Sequence, residues 1–216
     1  MPTVIVFAGG DPVDPALRAV LPERAHVIAA DSGLHAAAAV GRHVDLLIGD
    51  LDSAEPAAVE AAVAHGTVVD RHPAAKDATD LELALAVAAT KGDGIVVVGG
   101  AGGRLDHLLA NVLLLASPRF ASERIDAHVG DARIAVAHGG SPPLDIHGDA
   151  GSVVTLLPVG GPARGIMTEG LEYALRDEEL EPGTTRGVSN VMLGLNASVA
   201  LGEGTLLVIQ PTAGVR

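Results

Sequence analysis

The sequence predicts an α/β N-terminal domain with a mostly parallel sheet and flanking helices, followed by an all-β sandwich C-terminal domain. Over the first ~130 residues, short apolar runs of β character alternate with Ala- and Leu-rich helical stretches, as in a parallel sheet covered by helices. From about residue 125, short apolar runs are separated by Gly and Pro turns, without a long helical stretch. We therefore predict one domain over residues 1–124 and a second over residues 125–216.

Each element follows from local composition, because β-branched residues favour strands and Ala and Leu favour helices. Strands are predicted at residues 4–7, 27–30, 46–48, 68–69 and 95–98, and later at 152–157 and 205–209. Helices are predicted at residues 15–20, 34–40, 56–65, 80–90 and 105–116. The Gly- and Pro-rich residues 139–143 form either a linker or a hairpin loop inside the β region.

Composition and charge exclude several classes of protein. Lys and Arg number 14 against 27 Asp and Glu, a formal charge of −13, which argues against binding to a nucleic-acid backbone. The only aromatic residues are Phe7, Phe120 and Tyr173, too few for a platform that stacks bases. No apolar run reaches the roughly 20 residues of a membrane span. The chain enters a strand-like run at once and lacks cysteine, so we expect no export signal and a cytoplasmic location.

Polar residues follow the predicted strands at the positions where open α/β sheets bind ligands. The second strand leads into Asp31, and the third leads into Asp50 and Asp52. If the chain stays extended there, both carboxylates of the latter pair project to one side, as a shared Mg2+ requires. The alternative is an Asp-rich turn in which Ser53 caps the next helix.

A lysine and two aspartates surround the start of the predicted helix at residues 80–90. Thr79 and Glu82 have the spacing of a capping box, so a purely structural role as the start of a helix would account for these two residues. Asp77 then lies just outside the helix and Asp80 in its first turn, where the helix dipole favours negative charge. The cap does not explain Lys76 and Asp77, and a lysine beside carboxylates is a natural arrangement for phosphate and metal.

A glycine-rich segment joins the fifth predicted strand to the last predicted helix. The backbone N–H groups of Gly102 and Gly103 could approach a phosphate, and Arg104 could bind its oxygens. The segment matches neither the Walker A nor the dinucleotide-binding pattern, so a tight turn is the alternative. Asp106 and His107 could likewise be simple first-turn residues of the helix.

Taken in order, these motifs resemble those of the thiamine pyrophosphokinase family over nearly the whole chain. Residues 30–33 are similar to its Ala-Asp-Gly-Gly, 49–53 to Gly-Asp-Phe-Asp-Ser, and 76–80 to Lys-Asp-x-Thr-Asp. Residues 102–107 with Asn111 match Gly-Gly-Arg-x-Asp-His, while 170–173 and 186–190 resemble the bacterial Gly-Leu-x-Tyr and Arg-Gly-x-Ser-Asn. Two positions depart from the pattern: Ser32 replaces a glycine, and Val191 stands where many bacterial relatives have Glu.

The resemblance implies transfer of diphosphate from ATP to the thiamine hydroxyl, with release of AMP. It implies that Asp50, Asp52 and Asp77 bind Mg2+, with Asp31, Asp80 and Asp106 completing the acidic site and Asp80 sharing in catalysis. From general acid–base chemistry we also expect one carboxylate, Asp77 or Asp80, to accept the hydroxyl proton. The implied ATP site comprises Asp31, Lys76, Gly102, Gly103, Arg104, Asp106, His107 and Asn111. The implied thiamine contacts are Tyr173, Ser189 and Asn190. The resemblance also implies a homodimer whose active site lies between the α/β domain of one subunit and the β domain of the other.

Two other functions remain open at this point. A kinase or diphosphokinase of another hydroxyl compound would keep the carboxylates and change the contacts of the β domain, for which Val191 is the one hint. A non-catalytic sensor of a nucleotide or of thiamine diphosphate should have lost carboxylates that are all present here, namely Asp50, Asp52, Asp77 and Asp80.

Overall fold

The computed structural model describes residues 3–92 and 94–212. It divides into two compact units, one of Met1–Leu114 with Ser122–Gly130 and the other of Leu115–Ala121 with Asp131–Arg216. The first unit is α/β and the second is almost entirely β, as the sequence predicts.

The first unit contains a six-stranded parallel sheet in the order β6-β5-β1-β2-β3-β4. Its strands are β1 (Thr3–Ala8), β2 (Ala25–Ala30), β3 (Leu46–Gly49), β4 (Val68–Arg71), β5 (Gly94–Gly99) and β6 (Arg124–Val129). The chain runs outward from β1 to β4 and then returns to β5 on the other side of β1. This reversal opens a crevice at the carboxyl ends of β1 and β5, the usual ligand position in such sheets. Strand β6 begins at the predicted boundary, residue 124, and pairs with β5 of the first unit.

Four α-helices accompany this sheet in the described residues: α1 (Gly33–Ala39), α2 (Pro56–Ala64), α3 (Asp80–Ala88) and α4 (Leu105–Leu115). The helix predicted at residues 15–20 is instead a short 3₁₀ helix, Pro15–Ala19, which Asp14 begins by accepting a hydrogen bond from the Ala16 N–H at 2.8 Å. The predicted cap of α3 is confirmed, because Thr79 Oγ1 accepts the Glu82 N–H at 3.3 Å.

The central strand of the first unit explains why its sequence is uninterrupted and apolar. Val4, Ile5, Val6 and Phe7 in β1 are fully buried, since a strand in the middle of a parallel sheet is covered on both faces. The alanine-rich helix α1 packs against β1 and β2. This packing holds the carboxyl ends of the central strands in fixed positions, and the candidate site is built there.

The second unit is a β-sandwich of two antiparallel sheets. One sheet has the order β12-β9-β14-β7 and the other β11-β10-β13-β8. The strands are β7 (Ala132–His138), β8 (Leu144–His147), β9 (Val153–Pro158), β10 (Ala163–Glu169), β11 (Arg176–Leu180), β12 (Asn190–Val191), β13 (Asn196–Ala200) and β14 (Thr205–Pro211). Leu156 and Leu206 of one sheet share a buried core with Ile166 and Val199 of the other. Residues 139–143 form a loop between β7 and β8, so they are not a linker.

Among residues 3–92 and 94–212, no helix combines the length and the apolar composition needed to cross a lipid bilayer.

Candidate active site

A cleft of about 720 Å³ lies at the carboxyl ends of the central strands of the first unit. Its walls come from the segments that follow β1, β2, β3 and β5 and from the start of α3. Nine residues predicted from the sequence line it: Asp31, Asp50, Asp52, Lys76, Asp80, Gly102, Arg104, His107 and Asn111. The fold therefore brings together motifs that are up to 80 positions apart in the chain.

Three carboxylates converge in this cleft. Asp31 follows β2, while Asp50 and Asp52 follow β3, and each offers an oxygen within 4.8 Å of the oxygens offered by the other two. Oxygen ligands at this spacing suit a hard divalent cation. Asp31, predicted as a nucleotide-binding residue, thus belongs to the same group as the predicted metal ligands Asp50 and Asp52.

The two aspartates after β3 meet through a turn and not through an extended strand. The sequence left an extended chain and an Asp-rich turn open, and the structure has the turn, with Leu51 between the two aspartates at a left-handed φ of 65°. The Asp52 N–H then donates to Asp50 Oδ1 at 3.2 Å, and Ser53 Oγ donates to Asp52 Oδ1 at 2.9 Å. Ser53 does not cap α2, whose N-cap is Glu55.

Backbone strain is concentrated at the predicted motifs. Among the described residues other than glycine, four have positive φ: Asp31, Leu51, Asp177 and Ser189. Asp31 belongs to the carboxylate group, Leu51 lies between its other two members, and Ser189 is a predicted thiamine contact. Such conformations cost free energy and persist where the surrounding structure enforces them, as it often does at functional sites. Ser32 has an ordinary helical φ of −63°, so the serine that replaces the family glycine introduces no strain.

Asp31 is an incompletely satisfied carboxylate. Its Oδ1 is buried and has no hydrogen-bond partner within the described part of the chain. Burial raises the pKa of Asp31, and the nearby charges of Asp80 and Asp52 raise it further, against hydrogen bonds from Ser32 and Ser53 that lower it. A bound cation would supply both the missing partner and the missing charge.

Lys76 provides a positive charge beside these carboxylates. Its Nζ lies 2.9 Å from Asp80 Oδ1 and 3.6 Å from Asp50 Oδ2, and its side chain is only 13% exposed. The hydrogen bond with Asp80 raises the pKa of Lys76, so the ammonium stays charged. The pKa of Asp50 is lowered, first by the Asp52 N–H and then by Lys76.

Gly49 allows the carboxylates to approach one another. Its φ is 148°, and a Cβ atom there would come within 3.1 Å of the Asp80 carboxylate and 3.2 Å of the Asp31 Cβ. A side chain at this position would strain the backbone and force the Asp31 and Asp80 side chains to shift.

The glycine-rich segment after β5 forms the opposite wall. Gly102 and Gly103 both have positive φ, of 90° and 63°, and the Asp11 N–H donates to the Ala101 carbonyl at 2.7 Å. Arg104 forms a two-point contact with Asp106, with Nε 3.1 Å from Oδ1 and Nη2 2.5 Å from Oδ2. The Arg104 guanidinium lowers the pKa of Asp106 to about 2. Asn111 donates to the Gly100 carbonyl at 3.4 Å, which ties α4 to this segment.

Three of the residues predicted to bind metal or nucleotide lie outside the lining of the cleft. Within the described residues, Asp77, Gly103 and Asp106 do not line it, and all three are exposed. Asp77 is also absent from the group of carboxylates spaced for a metal in that part of the chain. Its implied role as a metal ligand therefore stays a prediction.

The residues predicted to contact thiamine meet in the second unit. Asn190 is buried, and its side chain forms hydrogen bonds with the backbone of Tyr173. Ser189 is exposed, with its N–H donating to Thr155 Oγ1 at 3.1 Å. Val191 lies in β12, paired with Val153 of β9.

Comparison with known families agrees with this arrangement in both halves of the chain. A model described as thiamin pyrophosphokinase, catalytic domain, matches residues 17–127. A second, described as thiamin pyrophosphokinase, vitamin B1 binding domain, matches residues 144–206. The chain belongs to the thiamin pyrophosphokinase family. Members of this family are ATP-dependent diphosphotransferases.

Individual relatives extend the comparison. The thiamine pyrophosphokinase of Bacillus subtilis (strain 168) is 27% identical over 143 residues, which span 65% of this chain and 66% of the relative. The crystal structure of thiamine pyrophosphokinase from Bacillus subtilis matches with a TM-score of 0.85 and 25% identity, covering 98% of this chain and 100% of that one. The thiamin pyrophosphokinase of Geobacillus thermodenitrificans gives a TM-score of 0.81 and 26% identity, covering 100% and 99%.

Sequence reasoning missed the left-handed conformation of Leu51, and it placed Asp31 in the acidic site without grouping it with Asp50 and Asp52 as a metal ligand. A leucine gives no local signal for a left-handed conformation, which favours Gly, Asn and Asp. The grouping depends on the pairing of β2 with β3, which places the two strand ends side by side. The order of the motifs along the chain does not show how far apart they lie in the folded protein.

We predict that Asp31→Asn stabilises the metal-free protein while it impairs metal binding. The substitution removes a partly buried negative charge from a group of carboxylates, so we expect a gain of about 1 kcal/mol, or about 3 °C in Tm, at neutral pH without metal. Added Mg2+ should raise the Tm of the unchanged protein more than that of the variant. Thermal unfolding with EDTA and with MgCl2 measures both effects. Asp70→Asn, an exposed substitution on β4, is the control, and an equal Mg2+ response in Asp31→Asn contradicts the prediction.

Proposed function

We propose that the protein is a thiamine diphosphokinase that transfers diphosphate from ATP to the hydroxyl of thiamine. The observation that carries the proposal is the convergence of Asp31, Asp50, Asp52 and Lys76 in one cleft of a chain matched by both family models. The hydroxyl oxygen bonds to the β-phosphorus of ATP, and the bond from that phosphorus to the bridging oxygen of the α-phosphate breaks. The products are thiamine diphosphate, AMP and a proton.

The residues present fit a magnesium ion. Asp31, Asp50 and Asp52 each offer a carboxylate oxygen within 4.8 Å of the others, and such oxygens are the ligands that Mg2+ prefers. Within the described residues, the buried Oδ1 of Asp31 also has no hydrogen-bond partner. We propose Asp31, Asp50 and Asp52 as its ligands, with Asp77 as a further candidate. When bound, Mg2+ would neutralise phosphate charge that develops during the transfer.

The remaining residues of the cleft would bind and orient the nucleotide. Lys76 would pair with phosphate oxygens as a compact positive charge, and its contacts with Asp50 and Asp80 hold it in place. Arg104 would exchange the Asp106 carboxylate for a phosphate, since both accept two parallel hydrogen bonds from a guanidinium. Of the two candidates for the hydroxyl proton, Asp80 lines the cleft, so we favour it.

The second unit would supply the contacts to thiamine. Tyr173 is exposed and is the single tyrosine of the chain. Ser189, which directly precedes Asn190, has a left-handed backbone conformation. An exposed aromatic ring attracts a cationic heteroaromatic ligand through its face.

We also propose the homodimer, with each active site formed by two subunits. Leu105, Leu109 and Leu113 form a stripe on α4 and are 68%, 55% and 54% exposed. Leu193 and Leu195 of the second unit are similarly exposed. Contiguous apolar surface of this kind is typical of protein–protein contacts. The cytoplasmic location stays a prediction.

The test is the release of AMP from Mg-ATP by the purified protein, with and without thiamine. We expect thiamine-dependent AMP and an equal amount of thiamine diphosphate. A thiamine analogue without the hydroxyl group should give neither, because no attacking oxygen is present.

The rival functions give different results in the same assay. A diphosphokinase of another compound would release AMP only with other hydroxyl acceptors, and a plain kinase would release ADP. A sensor would bind ATP or thiamine diphosphate without turnover. Any of these outcomes would overturn the proposal.

A further inference from the structure

One buried side chain holds both backbone polar groups of Tyr173. Asn190 is 6% exposed, and its Oδ1 accepts the Tyr173 N–H at 3.0 Å and the Val191 N–H at 2.9 Å. Its Nδ2 donates to the Tyr173 carbonyl at 2.8 Å. The Asn190 side-chain oxygen and nitrogen are thus both engaged within the protein.

Tyr173 itself lies in a segment without regular secondary structure, between β10 and β11. The backbone on either side of Tyr173 is hydrogen-bonded to the rest of the unit. The Glu172 N–H donates to the Val191 carbonyl at 2.9 Å, and the Leu175 N–H donates to Thr168 Oγ1 at 2.8 Å. Between these two points Tyr173 belongs to no β ladder in the described structure, so the Asn190 amide takes the place of a strand partner. Tyr173 nevertheless remains 63% exposed.

The same asparagine is anchored to the core of the second unit. Asn190 pairs with Val154 of β9, and Val154 is fully buried. On its other side, the strained Ser189 is fixed to β9 by its bond to Thr155. The loop that carries Ser189 and the loop that carries Tyr173 are therefore joined through one rigid residue.

We propose that Asn190 is a positioning residue, which fixes the Tyr173 backbone so that the exposed ring is presented to the ligand. This inference rests on the proposed function, which assigns thiamine to Tyr173 and Ser189. The resemblance implied direct contact between Asn190 and thiamine. Its buried amide, already engaged with backbone groups, instead acts through Tyr173.

The chain contains one tyrosine and no tryptophan, so its tyrosine fluorescence reports Tyr173 alone. In Asn190→Ala we expect lower Tyr173 fluorescence anisotropy in the ligand-free protein and a KM for thiamine raised about 10-fold, with the KM for ATP changed less than about twofold. Asn190→Asp keeps the oxygen that accepts the Tyr173 N–H and loses the N–H that donates to the Tyr173 carbonyl. We therefore expect smaller changes of anisotropy and of the KM for thiamine, in the same directions. Asn196→Ala, an exposed asparagine on β13 in the same unit, is the control and should match the unchanged protein.

Unchanged anisotropy and unchanged KM for thiamine in folded Asn190→Ala would overturn the proposal, as would equal rises in both KM values. If the alanine variant does not fold, the same readings are taken on Asn190→Asp, where unchanged values have the same meaning. Loss of the proposed function is recognised separately, because the unchanged protein would then release no AMP in response to thiamine. The anisotropy comparison would still test the positioning role.

Discussion

Replacing Asp50 and Asp52 together with Asn is expected to lower kcat for thiamine-dependent AMP release by a factor of about 10³ or more. Both carboxylates follow β3 and contribute oxygens to the group that includes Asp31. The amides keep the shape of the side chains and remove two negative charges, so the site would lose most of its attraction for a divalent cation. The transfer would then lack charge neutralisation at the phosphates. Steady-state AMP release at saturating thiamine and ATP measures the effect.

The double variant should remain folded, because Asp50 and Asp52 line the open cleft and are not part of the buried core. Asp70→Asn is the matched control, because Asp70 is an exposed aspartate at the edge strand β4, paired with His72. The control should keep full activity. If the double variant has the same Tm as the unchanged protein and retains more than about a tenth of its kcat, these carboxylates are not the metal site.

Lys76→Met is expected to lower kcat/KM for ATP by about 10² to 10³. Lys76 is the cation between Asp50 and Asp80, and its side chain is largely enclosed. Methionine fills similar volume and leaves the carboxylates without their positive partner, in addition to removing a charge for the phosphates. Lys76→Arg should recover only part of the loss, because a planar guanidinium cannot replace a compact ammonium in the same space.

Lys91 offers a control of the same residue type, as it is the only other lysine of the chain. Lys91 is exposed just after α3 and does not line the cleft in the described structure. Lys91→Met should therefore leave kcat/KM for ATP within about twofold of its original value. Equal effects of the two substitutions would show that Lys76 acts only through the overall charge of the protein.

Several features of the site were predictable because they follow from short-range chemistry. A glycine or an aspartate after an apolar run indicates the end of a strand, and the Thr79 cap of α3 follows from the spacing of Thr79 and Glu82. Other features depend on groups that are distant in the chain. Asp31 joins Asp50 and Asp52 because β2 and β3 are neighbours, and Lys76 reaches Asp50 only after the chain has passed through β4.

Sequence alone determined the α/β unit, the β-sandwich that follows it and the motifs of the family, since hydrophobic periodicity and turn residues are encoded locally. Only the tertiary structure decided which motif residues work together. It turned the chain at Leu51 and buried Asn190 beneath Tyr173, while Asp77 was left exposed outside the cleft. The physical reason is that a backbone conformation such as that of Leu51, or a buried amide such as that of Asn190, is stabilised by contacts across the fold that no local pattern contains.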